Sequence, residues 1–302
     1  MKKQILFITA LFIISGVFGK SANGHFNNGV TKYYKQDYKG AIEEYTESIN
    51  KNPEVAKVYL SRGIAKYYLQ DYEGAIADQQ KAIEINPEYG DAYFNVGDCK
   101  YNLQDYEGAI AEYTKALEIN PKDAMALISR GLTKQYIKDY KGAVADFSQT
   151  IKVMPELPDA YIYRGVAKTY LEFYDDAIED FTKSIRIQPL SDAYYYRGNV
   201  WDARKDYKAA LKDYNRAIEI NPRHFRAYHN RGLTKMTLKD NKNAIEDLSK
   251  AIALNSHYGD AYFNRAVAKV NLGQKENACQ DFKKAEELGQ IKAKGEIRKI
   301  CE

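Results

Sequence analysis

Around Gly90–Asp123 the apolar residues recur every three or four positions in two blocks, which is the spacing of one face of a helix. Gln104-Asp105-Tyr106 interrupts the rhythm and predicts a short polar turn, with Asp105 placed to cap the second helix. Asn120-Pro121 predicts its end, because proline has no N–H with which to continue the ladder. Small residues at Gly97, Ala109 and Ala116 let two helix backbones approach, and Tyr93 and Tyr113 fill the space beside them. The same 34-residue pattern recurs in eight copies, counted with Gly90 as position 1. Position 8 is Gly29, Gly63, Gly97, Gly131, Gly165, Gly198, Gly232 and finally Ala266, and the single interval of 33 follows Gly165. Position 20 is alanine throughout, from Ala41 to Ala278. Six of the seven prolines stand at position 32, and the eighth copy lacks one, as terminal repeats often do.

This combination of small residues, aromatics and proline at a 34-residue period resembles the tetratricopeptide repeat. The resemblance implies an all-α fold: a right-handed superhelical solenoid of eight helix–turn–helix repeats, with each first helix lining a concave groove. The repeats are expected over residues 22–288. A C-terminal capping helix is expected over 289–302, with Ile291, Ile297 and Ile300 as its apolar residues. Such an array would otherwise leave its last apolar face in water.

The first 19 residues read differently. Lys2-Lys3 precedes an apolar run from Ile5 to Phe18, and Val17-Phe18-Gly19 offers small residues at a cleavage site. This is the pattern of a secretory signal peptide, and fourteen apolar residues fall short of the ~20 that span a bilayer. The expectation is export, to the periplasm or beyond, with membrane attachment only through an uncleaved segment. The formal charge of +4 drops to +2 (43 basic against 41 acidic) once Lys2 and Lys3 are removed, which makes no electrostatic case for nucleic acid.

Charge is patterned rather than abundant. Position 7 is Arg62, Arg130, Arg164, Arg197, Arg231 and Arg265, and position 11 is lysine in seven copies, with Trp201 the exception. Position 23 answers with Glu44, Asp78, Glu112, Asp146, Asp180, Asp213, Asp247 and Asp281. The matched acids favour an ion-pair ladder that fixes register. The alternative is a basic stripe for an anionic ligand.

The resemblance also implies where a partner would lie, at positions 2, 5, 9, 12 and 13 of the first helices. On this sequence the N-terminal half of that face is Phe26, Val30, Tyr33, Tyr34, Leu60, Ile64, Tyr67, Tyr68, Phe94, Tyr101, Leu132 and Tyr136. Later copies are more mixed, with Tyr195, Asn199, Asp202, His229 and Met236 among them. Tyrosine suits wet, rigid contacts, and an apolar stripe of this length needs a covering partner.

Cys279 and Cys301 lie at similar distances from the turn at Leu288-Gly289, so antiparallel helices of ~1.5 Å rise per residue would bring them together. In an oxidising compartment a disulfide is expected there, while Cys99 is expected to be buried and inert. No catalytic pattern is present. His25, His224, His229 and His257 lack metal-binding spacing and are expected on the surface or in the groove. No cofactor is expected. The sequence therefore points to a non-enzymatic scaffold for a protein or peptide partner. A carbohydrate- or ligand-binding envelope protein and a self-associating structural protein are the alternatives.

Overall fold

The computed structural model describes residues 20–301, and the expected signal segment lies outside them. The described residues form 17 helices in two compact units, divided between Asp139 and Tyr140.

The first unit contains α1 (Lys20–Tyr34), α2 (Tyr38–Lys51), α3 (Ala56–Tyr68), α4 (Tyr72–Ile85), α5 (Gly90–Asn102), α6 (Tyr106–Ile119) and α7 (Ala124–Tyr136). The second contains α8 (Tyr140–Val153), α9 (Pro158–Tyr170), α10 (Tyr174–Ile187), α11 (Ser191–Ala203), α12 (Tyr207–Ile220), α13 (Phe225–Thr237), α14 (Asn241–Leu254), α15 (Gly259–Asn271), α16 (Lys275–Glu287) and α17 (Ile291–Ile300). Within each unit, consecutive helices pack as antiparallel hairpins and hairpin stacks on hairpin.

One aspartate organises each turn of the first three hairpins. The Asp105 amide donates to the Lys100 carbonyl at 2.9 Å and closes the first helix. Its carboxylate accepts from Gly108 N at 2.9 Å and opens the second. Asp37 and Asp71 repeat this arrangement. The residue before each aspartate must take a left-handed backbone: Gln36, Gln70 and Gln104 have φ of 62°, 65° and 65°. In the eighth repeat Gly273 takes that place at φ 76°, where no Cβ resists it.

Four second helices, α2, α4, α6 and α12, end at Asn-Pro. The Asn120 side chain accepts from Lys122 N at 3.2 Å and forms a local turn that directs the chain into the next repeat. The missing residue of the 33-residue interval falls in the loop 188–190, which is one shorter than its counterpart 86–89.

The core is a column of small residues flanked by rings. Ala41, Ala75, Ala109, Ala143, Ala177, Ala210, Ala244 and Ala278 are all fully buried. In the third and fifth repeats the glycine at position 8 makes room for a ring: a Cβ on Gly97 would stand 2.6 Å from the Tyr113 ring, and on Gly165 2.8 Å from Phe181.

At the C-terminus, α17 packs Ile297, Ile300 and Cys301 on Phe282, Ala266 and Ala278. Cys279 and Cys301 are joined in a disulfide across this contact, with Cα atoms 5.7 Å apart. Ile291 departs from the expected capping face. It is 89% exposed, because the helix starts there and the apolar stripe is carried by Ala293, Ile297 and Ile300 instead.

Candidate functional site

Two basic positions, 7 and 11, and one acidic position, 23, build the ladder. Arg164 grips Asp180 with two parallel hydrogen bonds, Nε to Oδ2 at 2.9 Å and Nη2 to Oδ1 at 2.6 Å. Lys168 Nζ approaches the same Oδ2 at 2.8 Å. Arg62, Arg231 and Arg265 repeat the geometry on Asp78, Asp247 and Asp281 with their own lysines. Each arginine also lies over the tyrosine three residues before it, 5.4 to 5.8 Å from the ring centroid for Arg62, Arg164, Arg197, Arg231 and Arg265. The remaining donor, Nη1, crosses to the preceding hairpin, where it meets Thr46, Thr114, Ser148, Thr182, Asn215 and Ser249 in turn.

Where position 7 is not arginine, the acid is the longer glutamate. Lys100 and Lys115 both reach Glu112, and Lys32 and His25 both reach Glu44. Those hydrogen bonds hold the Glu44 carboxyl below its ordinary value. The bases of the ladder are thus spent on internal acids and offer no basic stripe to an anion. The sequence reading missed the polar residue at position 25 that receives Nη1, although its recurrence as Thr, Ser or Asn was visible.

The expected partner face in the first unit separates into two layers. Phe26, Leu60, Ile64 and Phe94 are buried and cannot meet a partner. Phe26 packs on Tyr45 at 5.8 Å and Phe94 on Tyr113 at 5.7 Å, so position 5 belongs to the hairpin core. Val30 and Leu132 are half-buried.

The tyrosines form the outer layer. Tyr33, Tyr67 and Tyr101 are half-buried and set an edge against Tyr38, Tyr72 and Tyr106, with centroids 5.5 to 5.6 Å apart. Burial, with help from the neighbouring Tyr68 hydroxyl, pushes the Tyr33 phenol far up, and burial pushes Tyr67 up to about 12. Tyr34, Tyr68 and Tyr136 are 60%, 44% and 61% exposed. Tyr68 stacks on Tyr38 at 5.0 Å and 7°, and Tyr136 leans on Tyr106 at 4.5 Å. Position 13 therefore sits beside the start of the preceding repeat's second helix, at the turn end of the stack. The second unit repeats the stack once, between Tyr140 and Tyr170 at 4.6 Å and 6°.

In the second unit the corresponding face is polar and internally satisfied. His229, buried rather than at the surface, accepts from Asn264 Nδ2 at Nε2 (3.0 Å) and donates from Nδ1 to Asn230 Oδ1 (3.0 Å). Burial pushes its pKa below the ordinary histidine value, against the pull of Asn230 and Asp260. Asn230 donates on to Asn199 Oδ1 at 2.8 Å, which also accepts from Tyr214 at 2.9 Å. Thr234 donates to Asp202 at 2.7 Å. His224 is buried too, and its Nδ1 caps α13 by accepting from Ala227 N at 3.1 Å. Its Nε2 lies 3.2 Å from Asp192 Oδ1, and the His224 imidazole holds the Asp192 carboxyl below its ordinary value.

Among the described residues no three His, Cys, Asp or Glu side chains gather as a metal site, and no helix is long and apolar enough to cross a membrane. Cys99 is buried, and burial pushes its thiol up to about 12.

The tetratricopeptide repeat family matches the sequence at residues 26–89, 60–124, 191–224, 225–258 and 259–288. Several solved structures are similar in fold. A tetratricopeptide repeat protein from Parabacteroides merdae is 22% identical, with 91% of this chain and 95% of that chain covered and a TM-score of 0.60. Yeast Tom70 is 20% identical, with 97% of this chain and 64% of that one covered and a TM-score of 0.59. A chain of the Cut9–Hcn1 hetero-tetramer of the APC/C is 15% identical, with 88% and 53% covered and a TM-score of 0.63. At these identities the likeness is one of fold. No curated protein matches the sequence.

Proposed function

The chain belongs to the tetratricopeptide repeat family, and from that premise we propose that it is a non-enzymatic scaffold that holds a protein or peptide segment. The segment lies along the tyrosine layer of the first unit. The observation that carries this reading is the exposure of Tyr34, Tyr68 and Tyr136 in the first, second and fourth repeats, with Tyr68 and Tyr136 laid on the half-buried Tyr38 and Tyr106. Tyrosines held this way present apolar area and hydroxyls at little further entropic cost. Tyr33, Tyr67 and Tyr101 back them and add hydroxyls at the edge. The carbohydrate reading is weaker, because the Tyr38 and Tyr68 faces stack on each other instead of lying open to a sugar ring.

We place the protein outside the cytoplasm, on the strength of the N-terminal basic and apolar pattern in the sequence and of the Cys279–Cys301 disulfide. N-terminal sequencing of protein recovered from its own cells should then begin near Lys20. A chain that starts at Met1 in the cytoplasm would overturn the export reading.

The partner reading is tested by crosslinking in the native cell, with wild type and with Tyr34→Ser, Tyr68→Ser and Tyr136→Ser combined. These side chains lie outside the core, so the variant should still unfold cooperatively, with its melting temperature lowered only by the lost ring contacts on Tyr38 and Tyr106, while capture falls at least tenfold. Undiminished capture would sink the site. Recovery of nothing but further copies of this chain would replace the scaffold with self-association.

A further inference from the structure

One junction of the second unit breaks the rule of the tyrosine stacks. In three places a tyrosine at position 17 is covered by the tyrosine at position 13 of the next repeat. Tyr68 covers Tyr38, Tyr136 covers Tyr106 and Tyr170 covers Tyr140, with centroids 4.5 to 5.0 Å apart. Elsewhere a polar side chain takes position 13. Asn102 donates to the Tyr67 hydroxyl at 3.0 Å, Thr237 turns back to the Leu233 carbonyl, and Asn271 donates to Asn241 across its junction at 3.1 Å. Between the fifth and sixth repeats position 13 is Ala203, which is exposed and ends at Cβ. Arg204, next in sequence, pairs with Asp175, so this junction keeps the same register as the others. The half-buried Tyr174 packs against the core of Ile162, Ala177 and Phe181 but is covered by no ring at position 13.

Three further departures gather beside this ring. Position 16 holds the aspartate that caps α2, α4, α6, α12 and α14. Before α10 it is Phe173, which makes no side-chain cap and is 52% exposed. Giving up the cap weakens the helix, and the exposed phenyl ring keeps apolar area in water. Position 14, leucine or isoleucine in six other repeats, is Arg204, and position 11, lysine in seven others, is Trp201. The guanidinium is held by Asp175 and lies over the Trp201 ring, 5.9 Å from its centroid. Local rules broken together around one open ring mark a site. Charge there is unequal: residues 172–176 and 203–206 carry the carboxylates of Glu172, Asp175, Asp176 and Asp206 against the cations of Arg204 and Lys205. Glu172 and Asp176 are exposed.

We propose that this junction receives an aromatic side chain, tyrosine or phenylalanine, from a polypeptide segment with basic residues beside it. The ring lies on Tyr174 in the place that Tyr170 takes on Tyr140, next to Phe173. The chain itself supplies the template, because at three other junctions a tyrosine ring is what this surface holds. Aromatic pairs of this kind add affinity beyond the area they bury. Glu172 and Asp176 draw the flanking lysine or arginine. The slot belongs to the second unit and does not rest on the tyrosine layer of the first.

The repeats also supply the test substitutions. Ala203→Tyr restores the ring that Tyr170 provides one junction earlier. Phe173→Ser gives α10 a capping oxygen, as Asp206 gives α12, without adding charge. Each change mends a rule of the fold, so each should raise the melting temperature while it fills or strips the slot. A purely structural role for Ala203 and Phe173 predicts no loss of binding to accompany that gain.

The full chain is titrated with acetyl-Gly-Lys-Tyr-Lys-Gly-amide. The backbone amide shifts of Phe173 and Ala203 and the fluorescence of Trp201, the single tryptophan, are followed. A saturable response is expected, at least tenfold weaker with leucine for the tyrosine and with glutamate for both lysines. Ala203→Tyr should melt higher than wild type and bind at least tenfold more weakly, and Phe173→Ser should melt higher and bind at least threefold more weakly. No saturable response, equal binding of the leucine or glutamate peptide, or an equal response to methyl β-glucoside would overturn the site. So would undiminished binding by Ala203→Tyr, or a lowered melting temperature in that variant, which would mean that no ring fits over Tyr174. Peptide binding should survive the combined Tyr34→Ser, Tyr68→Ser and Tyr136→Ser changes even where partner capture is lost. Its disappearance there would overturn the placement in the second unit.

Discussion

Asp180 carries two cations at once, and its side chain is only 4% exposed. Removing it by Asp180→Ala strands Arg164 and Lys168 against a desolvated hairpin, which should cost about 3 kcal/mol in urea unfolding. Replacing both cations with methionine in the same chain should return most of that loss, since an unpaired buried charge costs more than the pair contributes. His229 supplies a second expectation, for pH. Its folded-state pKa lies below the unfolded value of about 6.5, so between the two the unfolded chain binds more protons. Stability is then complete above that range, falls as pH drops through it, and levels off below the folded value. The slope is at most about 1.4 kcal/mol per pH unit. Protonation also turns Nε2 into a donor against the Asn264 amide, which now donates to it. His229→Gln should remove this part of the acid sensitivity, as measured by melting temperature from pH 7.5 to 5; a parallel pair of curves would refute it.

At the level of the helix and its turn, the left-handed residue is the weak point. Gln70 and Gln104 hold φ of 65° with a Cβ, a conformation that costs a non-glycine residue about 1–2 kcal/mol. Gln70→Gly or Gln104→Gly should therefore stabilise by about 0.5–1 kcal/mol, despite the entropy glycine adds to the unfolded chain. Gly273→Ala should destabilise by a similar amount, and chemical denaturation distinguishes the two signs. Helix positions and the capping role of Asp105 were legible, because both follow from periodicity and local chemistry. The positive φ was not, since glutamine, lysine and glutamate occupy it in seven repeats and none of them signals a left-handed turn. Nor was the burial of Phe26, Leu60, Ile64 and Phe94 legible. First-helix position alone does not say how deeply the position-24 residue of the partner helix draws its neighbours into the core.

Taken as a whole, the chain is a one-dimensional array, so local losses should stay local. The disulfide closes a span of 22 residues between α16 and α17, which in the chain-entropy picture is worth about 3 kcal/mol. Reduction, or Cys279→Ser, should abolish slow hydrogen exchange in α17 while leaving α1–α7 unchanged. Loss of protection throughout would contradict a nearest-neighbour architecture. At this scale the repeat count and the cysteine pairing could be anticipated from spacing. The buried Gln79 at position 24 could not, because one departure in eight copies looks like noise until the apolar side chains at that place in the other repeats are seen in the core.

The arginine that reaches backward gives the array a direction. Arg62 needs Thr46, Arg130 needs Thr114 and Arg265 needs Ser249, and each hydroxyl precedes its arginine by one hairpin. As the ribosome releases the chain from its N-terminus, every arginine thus emerges after the surface that receives it has been made. Cutting the array from the C-terminal side leaves a hydroxyl that water can satisfy, whereas cutting from the N-terminal side strands a guanidinium arm. Fragments that begin at the first repeat should accordingly be the ones that survive limited digestion during synthesis.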